Sequence, residues 1–451
     1  MMNFEKRIGP DFGAQGPAYP PSGAVPDWYR DAKLGFFIHW GLYSVPAWAI
    51  QHGPGVHIPT EDAYAYHQYA EWYGNTVRIA GSPTWVRHQE VYGTGTSYED
   101  LADLWRAEAF DADALVSELV GAGAKYIIPT TKHHDGFALW DTATSGFNAA
   151  RRGPRRDLIG ELHDATRRHD ARFGVYYSGA LDWHAGDFPA IESDTDLFRF
   201  RRNDEQYSRY AAAQLEELVE RYAPDVLWND IDWPDGGKGH DEFAVAALLR
   251  RYFAAVPGGV VNDRWGVPYH GFLTREYTHI EDVQEAVWES TRGLGYSFGY
   301  NQAEGLEQSL SGTDLIRLFV DVVSKNGNLL INTGPRADGT IPELQLAAMR
   351  QLGDFLRING DAIYATRPWV RAGEREGTPR AYTSSASGTH VHVLDPAAGV
   401  LELPVELAAA SGARWSGTHT AEVVPGADGT ATVVVPEALR GDAVATLTVP
   451  A

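Results

Sequence analysis

The sequence predicts an α/β protein: a (β/α)8-like (TIM-type) barrel followed by a C-terminal antiparallel β-sandwich. Three observations carry this. Apolar strand-like runs alternate with helix-period segments over roughly 330 residues, the pattern of parallel βα units. Polar and aromatic residues recur where those runs end: His39-Trp40, His133-His134, Tyr177, Trp228 to Asp230, Asn262-Asp263-Arg264 and Glu276. Barrel strands fill their inward positions with Val, Ile and Leu, so packing does not require such ends, whereas a reactive rim does. After about Asp361 the pattern becomes alternating and β-branched, with Gly, Pro and Asp between the runs, as in a small sandwich. The expected division is 1–362 for the barrel and 363–451 for the sandwich.

Residues 1–30 are rich in Gly and Pro and read as an arm or loop. Leu34 to Trp40 is the first strand. A long segment from Tyr43 to about Asp100 has little regular pattern, and loops of that length are usually functional. Asp111 to Gly121 has helical spacing, and Lys125 to Thr131 reads as a strand. Then follow a helix at Asp157 to His169, a strand at Arg172 to Ser178, and a long helix at Asn203 to Tyr222. Val226 to Trp228 form an apolar run that ends at Asn229-Asp230 before a turn-rich segment. A helix at Asp241 to Ala254 and strands at Gly259 to Asp263, Arg275 to Tyr277 and Tyr296 to Tyr300 come next. Thr313 to Ser324 reads as a helix with Thr313-Asp314 supplying its cap. Asn328 to Asn332 is the last barrel strand and Pro342 to Ile358 the last long helix. That makes about eight strands, several of the later ones without a convincing helix behind them, so an irregular barrel is expected.

The 451 residues are 44% hydrophobic, enough for a full core. The net charge of −22 argues against nucleic acid or an anionic membrane as partner. There is no cysteine, hence no disulfide, thiolate metal site or cysteine nucleophile. No run of about 18 apolar residues suggests a membrane span, and the N-terminus lacks an apolar signal region. The expectation is a cytoplasmic protein, with secretion after signal removal left open. Fourteen Trp, 22 Tyr and 17 Phe suit either core filling or stacking against a neutral sugar.

Each strand-end residue has a plain alternative. Asp230 is a catalytic carboxylate or a loop-capping one. His133 and His134 are a metal pair or hydroxyl ligands. Neighbouring side chains on an extended chain face opposite ways, and no HExxH-type ligand set is present, so hydroxyl binding is favoured and no metal is expected. Glu71-Trp72 is a surface pair or part of a functional loop. Trp72, Trp228 and Phe298 are core aromatics or sugar platforms. Arg264 pairs with Asp263 or reaches a ligand. With a sugar as ligand the types cohere: two carboxylates flank the scissile bond, while histidines, arginine and aromatics bind the ring.

The motifs Trp28 to Gly41, Thr131-Lys132-His133-His134-Asp135-Gly136-Phe137, Arg155 to Leu158, Leu227-Trp228-Asn229-Asp230 and Gly327 to Pro335 with Asp338-Gly339 resemble the α-L-fucosidases of glycoside hydrolase family 29. They occur in order over roughly residues 25–370, too long a series for chance. The resemblance implies a barrel with a C-terminal β-sandwich, and a retaining exo-α-L-fucosidase acting through a covalent fucosyl-enzyme. It implies Asp230 as nucleophile. Val261 to Pro268 followed by Glu276-Tyr277 matches the branch in which that Glu is the acid/base; Glu289 is the fallback. It further implies that His39, Glu71, Trp72, His133, His134, Tyr177, Trp228, Arg264 and Phe298 bind fucose. Pro129 departs from the pattern, which has an apolar non-proline residue there, and proline suits a central strand poorly.

The resemblance calls for no cofactor and no metal. The expected partner is a fucosylated oligosaccharide or glycoconjugate, with no nucleic acid or membrane, and a homo-oligomer is one form such chains take. The rival readings are an α-L-galactosidase or transfucosidase with the same machinery, a non-catalytic fucose-binding protein, and a metal-dependent barrel hydrolase.

Overall fold

Eight parallel strands form one continuous sheet whose inner side chains meet across the middle. This computed structural model describes residues 20–450 except 53–55, 240, 375–377, 409–410, 418 and 427–428; most of the arm expected at 1–30 therefore lies outside the described residues. The strands are β1 (Leu34–Ile38), β2 (Tyr126–Lys132), β3 (Arg172–Ser178), β4 (Val226–Asp230), β5 (Val260–Val261), β6 (Leu273–Glu276), β7 (Trp288–Gly293) and β8 (Gly327–Thr333). Their order in the sheet is β5-β4-β3-β2-β1-β8-β7-β6. β5 and β6 share no ladder. The seam between them is bridged where the Gly271 and Phe272 N–H groups both donate to the Val261 carbonyl, at 2.8 and 3.2 Å. Side chains from well-separated strands touch inside: Phe37 on β1 lies edge-on to Trp228 on β4 at 5.0 Å, so the sheet is curled into a barrel.

Period-two alternation sorts the strand residues between two layers. Phe37, Tyr126, Ile128, Tyr176, Trp228 and Leu330 fill the barrel. Phe36, Ile127, Val175, Leu227 and Ile331 face out and pack with Leu115, Leu162, Leu215, Leu248, Phe319 and Leu352 of the surrounding helices. Those helices are Ala112–Gly121, Leu158–Arg168, Glu205–Tyr222, Val245–Ala255, Gly312–Ser324 and Glu343–Asn359. Asp111, Asp157 and Asp204 cap three of them by accepting N–H bonds of the first turn. Gly35 faces inward on β1, where a Cβ would sit 2.2 Å from the Tyr126 ring.

The structure corrects two local expectations. The seventh strand is Trp288–Gly293, and Tyr296 to Tyr300 is the loop after it. Residues 288–293 are mostly polar, so their apolar pattern is weak, yet β7 is buried on both faces. The helix Gly312–Ser324 is capped by Ser311, which accepts from the Asp314 N–H and donates to the Asp314 carboxylate; Thr313 already lies within the helix. Pro129 lies inside β2, opposite Ile38. Just after it the ladder to β3 shifts by one residue between Thr130 and Lys132. The β5–β6 and β6–β7 connections carry no helix, which is the irregularity the sequence suggested.

The C-terminal region holds a six-stranded and a three-stranded antiparallel sheet. Tyr382, Val391, Leu401, Trp415, Val433 and Leu447 form its own buried core. Ala381 and Val444 instead join the barrel's helical layer, and Arg317 donates to the Ala443 carbonyl at 3.3 Å. Among the described residues no helix is long and apolar enough to cross a membrane.

Candidate active site

The pocket lies at the carboxyl ends of the strands, and its centre is Asp230, the last residue of β4. Trp228 and Asp230 share the inward face. Asn229 points outward, where its amide donates to the Asp232 and Arg264 carbonyls at 2.9 Å each. The next two residues, Ile231 and Asp232, both take positive φ, +54° and +70°. A β-branched residue in that region is strained by about 1–3 kcal/mol and persists only when its surroundings fix it. Ile231 is fixed by packing with Trp72, Tyr64 and Leu181. The chain thus turns away sharply and leaves the carboxylate at the pocket floor.

Asp230 is nearly enclosed, with a side chain 12% exposed. Arg264 Nη1 donates to Oδ1 at 2.9 Å, and the Tyr176 hydroxyl donates to Oδ2 at 2.8 Å. Burial alone would push its pKa up. The Arg264 charge, His134 and these two hydrogen bonds outweigh that and hold it below the usual carboxylate range. Asp230 is therefore held as an anion, as a nucleophile must be.

Arg264 also donates through Nη2 to Glu276 Oε2 at 2.9 Å, so one guanidinium spans both carboxylates. Its plane lies over the Trp228 indole, 4.8 Å from the centroid, and its Nε donates to Thr274. The alternative pairing with Asp263 is not made: Asp263 accepts from the Thr274 N–H and hydroxyl instead. Asn262 extends the two-residue strand β5 by its side chain, accepting the Asn229 N–H and donating to the Asn229 carbonyl. Each residue of Asn262-Asp263-Arg264 thus has its own task, and together they set the arginine.

Glu276 ends β6 with its side chain 34% exposed at the pocket mouth. Glu289 is placed differently. It lies on β7 deep in the barrel, where Trp228 Nε1, Tyr29 and Tyr126 all donate to its carboxylate at 2.9, 2.8 and 2.6 Å. Burial pushes its pKa up to about 7. It is a buried anchor for the Trp228 indole, beneath the pocket and out of reach of solvent.

Three histidines line the opposite wall. His39 Nδ1 lies 2.7 Å from Asn332 Oδ1, and that amide is oriented because its Nδ2 donates to the Phe298 carbonyl. Nδ1 must therefore carry the proton, which leaves the His39 Nε2 lone pair for a ligand. His134 Nδ1 lies 2.7 Å from the Ser178 hydroxyl, which itself donates to the Leu181 carbonyl. By the same reasoning His134 Nε2 is an acceptor; it stands 3.9 Å from Asp230 Oδ2. Burial lowers both imidazoles, to about 3 and about 4, so both are neutral near pH 7. His133 stacks on Tyr176, centroids 5.5 Å apart, and its Nδ1 is buried with no partner among the described residues. The one-residue bulge at Thr131 and the end of β2 at Lys132 let consecutive histidines share one pocket, their rings 4.0 Å apart.

The long loop after β1 supplies Glu71 and Trp72. Glu71 is buried and accepts the Phe298 and Gly299 N–H groups at 3.3 and 2.8 Å, which fixes the loop carrying Phe298. Burial pushes its pKa up to about 8. Trp72 stacks on His67 and lies edge-on to His134. Phe298 borders His39 at 5.0 Å. The structure brings together every expected residue but one. Tyr177 points out of the barrel, where its hydroxyl donates to Gln214 and its ring packs on Lys132. Tyr176, its neighbour, is the tyrosine in the pocket. Asn332 and Ser178 join the pocket as well, each a single polar residue at a strand end that orients a histidine. Among the described residues no group of three or more His, Asp or Glu is arranged to hold a metal ion.

The arrangement can present two carboxylates, two imidazole acceptors and an aromatic wall to a small polyol ring. Comparison with known proteins bears on what that ring is. A family model described as alpha-L-fucosidase matches residues 21–361. The tissue alpha-L-fucosidase of Homo sapiens is 32% identical over 394 residues, 84% of this chain and 78% of that one. A crystal structure of Thermotoga maritima alpha-fucosidase is 41% identical with a TM-score of 0.86, covering 98% of this chain and 100% of its own. A Thermotoga maritima alpha-fucosidase in complex with fucose is 42% identical with a TM-score of 0.84, over 95% and 97% of the two chains. The match runs through the whole barrel that builds the pocket, and the chain belongs to the alpha-L-fucosidase family of glycoside hydrolases.

Proposed function

We propose that this enzyme releases terminal α-L-fucosyl residues from oligosaccharides or glycoconjugates by double displacement, with Asp230 as nucleophile and Glu276 as acid/base. The observation that carries the assignment is the Arg264 guanidinium spanning both carboxylates. It favours the close spacing of a retaining pair, about 5–5.5 Å, over the wider gap that an inverting enzyme leaves for water. Asp230, ionised and steadied by Arg264 and Tyr176, attacks the anomeric carbon while Glu276 delivers a proton to the departing oxygen. Esterified Asp230 no longer carries charge. Glu276 then takes a proton from water, and the hydroxide equivalent displaces Asp230 to release fucose. The His39 and His134 lone pairs accept ring hydroxyls, and Phe298 and Trp72 face apolar parts of the sugar.

The test is NMR of the products from an aryl α-L-fucoside. Retention requires the α-anomer of fucose to appear first, with the β-anomer growing in by mutarotation. A β-anomer appearing first would overturn the double displacement. Loss of activity on EDTA treatment, restored by added metal, would overturn the metal-free scheme.

A further inference from the structure

The acid protonates the departing oxygen, so the leaving group must lie on the Glu276 side of the pocket; the reasoning that follows rests on the reaction proposed above. Three tyrosines crowd that side. The rings of Tyr69 and Tyr277 stack with centroids 6.4 Å apart, and Tyr296 approaches them at 5.4 and 6.0 Å. Phe298, on the wall of the sugar pocket, meets Tyr69 at 6.0 Å and Tyr277 at 5.8 Å, so the cluster continues the pocket outward. Tyr277 directly follows Glu276 in the chain, and the Glu276 charge acts on the hydroxyls of both Tyr69 and Tyr277.

The three rings are not equivalent. The Tyr277 hydroxyl donates to the Tyr296 carbonyl at 2.6 Å and accepts from the Gly293 N–H at 3.1 Å. Its backbone takes φ of +47°. It is a fixed buttress. The Tyr69 and Tyr296 hydroxyls, by contrast, have no hydrogen-bond partner among the described residues, and Tyr296 is 38% exposed. Tyr296 is nevertheless held, because its N–H and that of Ser297 both donate to the Glu304 carboxylate, at 3.0 and 2.6 Å. An aromatic cluster that served only to fill space would bury its outer ring and satisfy its hydroxyls. This one is rigid, half in water and chemically unspent.

We infer that Tyr69 and Tyr296 form the leaving-group subsite, where the exposed Tyr296 ring stacks on the apolar face of a pyranose and the two free hydroxyls bond to its hydroxyls.

The experiment compares two substrates: an α-L-fucosyl-(1→2)-galactoside, and α-L-fucosyl fluoride, whose leaving group has no ring. For Tyr296→Ala, the ratio of kcat/KM on the disaccharide to kcat/KM on the fluoride should fall about tenfold, the loss expected for one aromatic contact of about 1.4 kcal/mol. Tyr296→Phe, which keeps the ring, should retain most of the ratio. A ratio that stays at the wild-type value in Tyr296→Ala, whether neither substrate suffers or both suffer alike, overturns the subsite. Wild-type enzyme that releases fucose from neither substrate overturns the fucosidase reading, and the subsite falls with it.

Discussion

The Tyr176 hydroxyl donates to Asp230 Oδ2 at 2.8 Å across the ladder between β3 and β4, where Tyr176 is in register with Trp228. The bond favours the ionised carboxylate. Tyr176→Phe should lower kcat/KM about 10- to 100-fold, the range for a hydrogen bond to a charged group. It should also move the acid limb of the pH profile upward, since Asp230 loses a donor that stabilises its anion. Tyr177→Phe is the control. It should keep activity near wild type and lower stability by about 1–3 kcal/mol, because the buried Gln214 oxygen loses its donor. A reversed outcome in steady-state kinetics would return the pocket tyrosine to position 177.

Removing the Asp230 carboxylate tests the nucleophile role proposed for it. Asp230→Gly should lose several orders of magnitude on aryl α-L-fucosides. Azide should enter the vacated space and give β-fucosyl azide, detectable by NMR. Activity retained in this variant would end the assignment.

The two candidate acids separate by leaving group. Glu276→Ala should cost about 10²- to 10⁴-fold on fucosides with poor leaving groups and far less on activated aryl fucosides. Glu289→Ala should behave otherwise. It leaves the donors of Tyr29, Tyr126 and Trp228 without an acceptor, at about 1–3 kcal/mol each, partly offset by removing a carboxylate that burial disfavours. Its thermal midpoint should drop, and its activity should fall alike on all substrates. Leaving-group dependence in Glu289→Ala would move the acid/base role to β7.

Glu71 makes stability depend on pH. Burial raises its pKa from 4.5 to about 8. The folded state therefore holds a proton that the unfolded state releases, and stability from this group falls as pH rises from about 4.5 to 8. Glu71→Gln should remove that slope, so the wild-type stability measured against the variant should decline across this window. His39 and His134 act oppositely. Their lowered values make the unfolded state bind protons first, so stability falls as pH drops below about 6.5. Denaturant titrations from pH 4.5 to 8 would show both; a wild-type difference that rises with pH would contradict the Glu71 placement.

Much of the site was legible because its residues stand at strand ends, and strand ends show in a sequence as an apolar run meeting polar residues. His39, His133, His134, Asp230, Arg264 and Glu276 were found that way. Tyr176 was not, because Tyr176 and Tyr177 are identical in type and only the phase of β3 within the sheet decides which faces in. The strand Trp288–Gly293 was missed for a related reason: buried on both faces yet rich in Glu, Ser, Thr and Arg, it carries no apolar alternation.

By itself the sequence determined the order of βα units, the change to a β-rich end, and the residue types gathered on one rim. Those follow from local periodicity and composition, which act over a few residues. Only the tertiary structure decided that one arginine spans Asp230 and Glu276, that Glu289 is a buried anchor, and which side of β3 faces the pocket. These depend on the register between strands far apart in the chain and on how the sheet closes, and neither is written in any local stretch.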